Sequence, residues 1–257
     1  MNKLNKLVLY VSGVFFWVSA SIWGYGQTTE NENILYQIQD KVYDAFLYSF
    51  QDNSLNRLKD IEDKLKQTVN QNQLVDYWLA YTKYYESLYY LKSQNREEAQ
   101  KTLSSAISLL EETESKNTET FALLAYLQSF SLQFPTEISA ATISSKVKKN
   151  VEAALKADST NLRAWYVLAS TDYYTPVAFG GGKNCEQYLL NAISLKDQTT
   201  NAPYMPSWGK SEAYALLIEF YVGKENYSKA KEYLNEALTL YPDDYMINQY
   251  VEKLRDK

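Results

Sequence analysis

SEAYALLIEFYVGKENYSKAKEYLNEALTLYPDD (211–244) decides the fold. Tyr214, Leu217 and Tyr221 recur at three- and four-residue steps, so they line one face of a helix. The chain breaks at Lys224 to Asn226, and a second helical stripe follows through Ala230, Leu234 and Ala237 until Pro242 stops it. Ala230 and Ala237 are small enough to let the second helix approach the first, and the aromatics fill the gap between them. Such a hairpin cannot bury its apolar face alone. It must stack on neighbours of its own kind.

Those neighbours are present upstream. Leu55, Leu58, Ile61 and Leu65 keep the helical step, as do Leu74, Trp78, Tyr81, Tyr85 and Leu88, and then Ala99, Leu103, Ala106 and Leu110. Strand-like alternation is missing. Breaks at 52–54, 94–95, 115–118, 135–136, 158–161, 175–183, 197–209 and 224–226 separate the stripes, and several offer Ser, Thr, Asp or Asn as an N-cap. The pattern predicts about five antiparallel hairpins and a terminal helix, an α-hairpin array without long crossovers.

The 34-residue unit resembles the tetratricopeptide repeat. Tyr214, Leu217, Tyr221, Ala230, Leu234, Ala237 and Pro242 fall at its positions 4, 7, 11, 20, 24, 27 and 32, and Ile218 departs from it where a small residue is usual. VEAALKADSTN (151–161) is similar to the end of such a repeat, and LRAWYVLAS (162–170) to the start of the next, with Trp165, Leu168 and Ala169 at positions 4, 7 and 8. Cys185, Leu189 and Ala192 then match a second helix displaced by four residues. Cys185 therefore reads as a small core residue. The resemblance is specific over 150–242 and generic before that, and it implies a right-handed α–α superhelix.

Residues 1–26, MNKLNKLVLYVSGVFFWVSASIWGYG, are expected to be a leader. Lys3 and Lys6 precede a mostly apolar run from Leu7 to Ile22, and Gly24 and Gly26 flank Tyr25 at a cleavage point before Gln27. The run is interrupted by Ser12, Gly13, Ser19 and Ser21 and falls short of the roughly 20 apolar residues of a membrane span. Residues 27–257 are thus expected as one exported helical-repeat domain, periplasmic or secreted, with no membrane span once the leader is removed.

Composition narrows the function. With 26 basic against 31 acidic residues and no basic block, the chain is a poor candidate for nucleic acid. It has no histidine, which removes His-based triads, His metal ligands and the usual base near neutral pH. KDIEDKLK (59–66) and EEAQK (97–101) read as solvated helix faces with i,i+4 pairing. No catalytic constellation can be named, and neither a cofactor nor a metal is implied. The 24 tyrosines suit both helix packing and a wet groove.

Two insertions mark where function would sit. TPVAFGGGKN (175–184) breaks a hairpin at Pro176, and its Thr-Pro-x-x-Phe-Gly-Gly run resembles one in secreted bacterial tetratricopeptide-like proteins, some associated with solute transporters. Its glycines are either a structural corner or, with Lys183, an anion site at a helix start. DQTTNAPYMPSWG (197–209) carries Tyr204 and Trp208; it is either a hydrophobic plug or a lid over the concave face. The family's inner groove, carried over by repeat position, implies Arg163, Tyr166, Ser170, Tyr173 and Tyr174 in one repeat and Glu212, Ala215 and Glu219 in the next. With Phe179, Lys183, Tyr204 and Trp208 from the insertions, these are the candidate binding residues. The expected role is a non-catalytic scaffold gripping a protein or peptide in the cell envelope; the alternative is capture of a small organic ligand for a transport system.

Overall fold

The computed structural model describes residues 33–68, 73–196 and 202–257, so the expected leader lies outside the described residues. Eleven α-helices and no strand are found among them: α1 (Ile38–Gln51), α2 (Asn56–Lys66), α3 (Gln73–Lys92), α4 (Arg96–Glu112), α5 (Thr118–Ser131), α6 (Ala140–Ala157), α7 (Leu162–Tyr174), α8 (Cys185–Ser194), α9 (Lys210–Gly223), α10 (Tyr227–Leu240) and α11 (Tyr245–Leu254). None is long and apolar enough to cross a membrane.

The turns explain the hairpins. Asn53, Gln94 and Glu225 take left-handed φ values of 48°, 62° and 58°. In each case the next N–H reaches back five residues: Ser54 to Ser49 O (3.0 Å), Asn95 to Tyr90 O (2.8 Å) and Asn226 to Tyr221 O (2.9 Å). That bond satisfies a carbonyl the ending helix leaves open. Asn95 and Asn226 then cap the following helix by accepting from Glu98 N and Lys229 N, both at 3.2 Å. One turn chemistry therefore ends a helix and reverses the chain in three separate hairpins, and in two of them its asparagine also caps the partner helix.

The helices pack in adjacent pairs, α1–α2 through α9–α10, with α11 closing the array. The first helices α1, α3, α5, α7, α9 and the terminal α11 also touch in succession, which stacks the hairpins into the all-helical repeat superhelix expected from sequence. Small residues sit where partners meet: Ala99, Ala106, Ala154, Ala192, Ala230 and Ala237 on the second helices are fully buried. Cys185 and Ile218 are buried with them.

The 59–66 segment departs from the solvated face expected of it. Glu62 is buried, and its carboxylate gathers Lys59, Lys66 and Lys83. Burial pushes the Glu62 carboxyl up, but the Lys83 hydrogen bond and the three cations leave it below its ordinary value. Glu86 from α3 is buried beside it and is raised, by burial first and then by Glu62, although Lys59 Nζ donates to it at 2.5 Å. Helical spacing alone could not tell this inward acid from its outward neighbours.

Because the hairpin contact relies on small residues, Ala237→Leu should overpack α9 against α10. The expected cost is about 1–3 kcal/mol, read as a lower urea midpoint at unchanged helical content.

Candidate functional site

The strap before α9 crosses the face formed by the first helices. Pro203 O accepts from Gln37 N (2.8 Å), Tyr204 O accepts from the Trp78 indole (2.9 Å), and Gln39 Oε1 accepts from both Ser207 N (2.8 Å) and Trp208 N (3.1 Å). Trp208 itself is 5% exposed and donates its indole N–H to the Tyr77 hydroxyl at 2.6 Å. Its ring lies 5.2 Å from Tyr126 and 6.4 Å from Tyr166. The strap continues into α9 through Gly209, whose φ of 111° suits glycine and whose Cβ position would lie 2.8 Å from the Arg163 side chain.

Beneath the strap is a buried ion pair. Arg163 on α7 donates to Glu119 on α5 through Nε (2.5 Å) and Nη2 (2.6 Å), and through Nη1 to Trp208 O (3.1 Å). Asn161 Nδ2 adds a bond to Glu119 at 2.9 Å while its own oxygen caps α7. Glu119 is thus satisfied from two sides, as a buried charge requires.

Around this latch the phenols form a connected set. Tyr84 and Tyr126 hydroxyls share a 2.8 Å hydrogen bond, and Tyr81 and Tyr85 share one of 3.3 Å. Rings touch from Tyr43 to Tyr85 (6.2 Å), Tyr85 to Tyr84 (5.4 Å), Tyr84 to Tyr126 (5.3 Å) and Tyr126 to Tyr166 (6.1 Å). The chain of contacts therefore runs over α1, α3, α5 and α7. Burial pushes these phenols up, and the negative charge of Glu212 adds to the rise at Tyr43, Tyr77, Tyr81, Tyr85, Tyr126 and Tyr166; Tyr126 reaches about 12. The hydroxyls stay protonated and can donate hydrogen bonds at any physiological pH.

The candidates from sequence fall into distinct places. Tyr166 belongs to the connected phenols and packs against Trp208, and Glu212 accepts from Gly209 N (2.6 Å) at the start of α9. Arg163 corrects the repeat-position expectation: it is fully buried and committed to Glu119, because the preceding hairpin supplies a facing acid and the strap covers both. Ser170 is likewise buried, its hydroxyl donating to Val167 O at 3.1 Å. Tyr173 and Tyr174 are half-buried and pack edge to face at 5.0 Å. Glu219 accepts from Tyr250 and Lys253 on α11, both at 3.0 Å. Tyr204 is exposed beside Tyr36.

The glycine-rich insertion serves as a corner. Asp172 accepts from the N–H groups of Asn184 (3.1 Å) and Cys185 (2.9 Å), so the start of α8 already holds an internal carboxylate where an outside anion was considered. A Cβ on Gly181 would meet Thr175 O at 2.0 Å, which explains a glycine there. Lys183 is exposed, and Phe179 stands 83% exposed on the 3-10 turn Val177–Phe179.

Sequence reasoning missed Tyr43, Tyr77 and Tyr126 and read Tyr81 and Tyr85 only as a packing stripe. A signal was available: Tyr43, Tyr85, Tyr126 and Tyr166 recur at steps of about 40 residues, one hairpin per step. No group of three or more His, Cys, Asp or Glu side chains that could hold a metal occurs among the described residues.

No family model matches the chain, and no curated protein matches it in sequence. Among solved structures, the HusA haemophore from Porphyromonas gingivalis is similar in fold, with a TM-score of 0.53 and 22% identity over 77% of this chain and 96% of that one.

The latch yields a stability prediction. Arg163→Ala should cost roughly 3–5 kcal/mol by stranding the Glu119 carboxylate, whereas the pair Arg163→Met with Glu119→Leu should recover most of the loss. Urea denaturation of the three proteins checks both halves.

Proposed function

We propose that this protein is an exported carrier that holds a flat, largely apolar small ligand of the porphyrin class against its tyrosine face. The observation that carries the reading is the connected run of phenols over four successive hairpins, of which Tyr77, Tyr126 and Tyr166 meet Trp208. Aromatic rings at these spacings offer faces and edges for stacking on a planar ligand, and protonated hydroxyls offer hydrogen bonds around it. The fold likeness to a haemophore makes haem the first ligand to test. The residues present fit such a cargo through ring contacts. Iron ligation has few candidates, since the chain lacks histidine, its single cysteine is buried, and burial keeps the phenols from ionising.

The scaffold reading keeps one observation in its favour. Tyr43, Leu47 and Phe50 on α1, and Tyr245, Met246 and Val251 on α11, are exposed apolar residues at the two ends of the array, where a protein could dock. Within either reading we infer that the hairpins are of the tetratricopeptide type, that the leader directs export, and that the role is binding without catalysis.

Titration of residues 27–257 with haem, followed by tryptophan quenching and the porphyrin absorption band, tests the proposal. Saturable binding with a Kd of about 1 μM or tighter is expected. Tyr126→Ala combined with Tyr166→Ala should weaken it about tenfold or more at unchanged helical content. Unsaturable association, equal in wild type and variant, would contradict the carrier reading.

A further inference from the structure

A cavity of about 400 Å³ opens between α4, α5 and α6, within the size range of small-molecule sites. Phe121, Leu124 and Gln128 follow one another along α5 at three- and four-residue steps and line it together. Tyr126 stands two residues from both Leu124 and Gln128, so it points to the other side of the same helix. The cavity is therefore separate from the tyrosine face. From Phe121 to Gln128 its floor runs about 10 Å along the helix axis.

Gln128 is 3% exposed although it lines the cavity. Its Nε2 donates to Glu111 Oε1 on α4 at 3.0 Å, and its Oε1 accepts from Asn150 Nδ2 on α6 at 2.8 Å. Lys146 Nζ on α6 donates to the same Glu111 oxygen at 3.0 Å. Three helices are tied by this network, which fixes the buried carboxamide in place. A carboxamide has two N–H groups and two acceptor lone pairs, and these bonds use one of each.

The charges around the floor are not all matched. Glu111 and Lys146 pair with each other, and Lys116 donates to the carbonyls of Glu111 (2.9 Å) and Thr113 (2.6 Å) at the end of α4. Glu114, from the turn before α5, and Lys149, from α6, also line the cavity. Among the described residues neither side chain has an ion pair or hydrogen bond. One free charge of each sign thus borders an apolar floor that ends in a buried amide. A simple anion would be attracted by Lys149 and repelled by Glu114, and a simple cation the reverse. A molecule carrying both charges on an apolar body answers both.

We propose that this cavity binds a small zwitterion with an apolar body, of the amino acid or dipeptide class. Its ammonium group faces Glu114, its carboxylate faces Lys149, and its side chains rest on Phe121 and Leu124. A dipeptide, about 7 Å long when extended, fits the length of the floor and brings an amide within the chemistry of Gln128.

Isothermal titration calorimetry of residues 27–257 tests this with leucine, leucyl-leucine, and leucyl-leucine blocked either by amino-terminal acetylation or by carboxyl-terminal amidation. The proteins are wild type, Glu114→Gln and Lys149→Gln, both changes being at exposed side chains without partners. Leucyl-leucine should saturate wild type with a Kd on the order of 100 μM. Each block and each substitution should weaken it about threefold or more. Glu114→Gln should no longer distinguish free from acetylated peptide, and Lys149→Gln should no longer distinguish free from amidated peptide, an outcome that a merely structural role for either residue does not produce. Leucine binding as tightly as the dipeptide would assign the site to free amino acids, and weaker binding would assign it to dipeptides. Failure of both zwitterions to saturate wild type would overturn the proposal, as would blocked peptides that bind as well as the free one or variants that keep the wild-type discrimination. None of these results bears on the haem titration, which reads the other side of α5.

Discussion

The structure depends on a contact that a linear repeat array does not ordinarily make. In a solenoid each hairpin touches its neighbours alone, and order propagates from one unit to the next. Here the strap before α9 leaves its own repeat and bonds to α1 and α3, with Trp208 seated in the core cluster of the amino-terminal hairpins. Helix α9 belongs to the other cluster, so the strap joins the two beside α7, which contributes to both. Ordering residues 202–209 costs on the order of 10 kcal/mol in conformational entropy. Burying an indole of about 200 Å² returns roughly 5 kcal/mol. The six hydrogen bonds that the strap makes with Gln37, Gln39, Tyr77, Trp78 and Arg163 add about 1 kcal/mol each. Neither contribution would hold the strap alone, and together they about match the cost.

That balance explains why polar groups are concentrated under the strap. The Arg163–Glu119 pair supplies little net stability by being charged, since desolvation offsets attraction. Its value is positional: it fixes α5 against α7 and presents a guanidinium N–H to Trp208 O. The phenols above it are then held at set spacings by rigid helices, and Glu212 closes the strap onto α9 by accepting from Gly209 N. Packing, hydrogen bonding and electrostatics meet at one face, which is why that face is the candidate site and the exposed Phe179 turn is not.

The array itself was legible in the sequence because its determinants are local. Alanines at 230 and 237, caps at Asn95, Asn117, Asn161, Asn226 and Asp244, and the break at Pro242 each act within a few residues. The site was less legible because its contacts join residues 126 to 169 positions apart. Repeat position placed Arg163 in an open groove, but a facing Glu119 one hairpin earlier turned it inward. Helical periodicity marked Tyr81 and Tyr85 as apolar-face residues without telling packing from lining. Asp172 capping α8 across an insertion, and Glu86 meeting Glu62 between helices, had no sequence signature of any kind.

The central claim is that the strap and the first helices form one ligand-bearing face. Hydrogen exchange of residues 27–257 with and without haem tests it most directly. The account predicts added protection at the amides of Ser207 and Trp208 and along α3, α5 and α7, where the tyrosines and the latch lie. Protection confined to the second helices or to the 175–184 turn, with the strap unchanged, would contradict it.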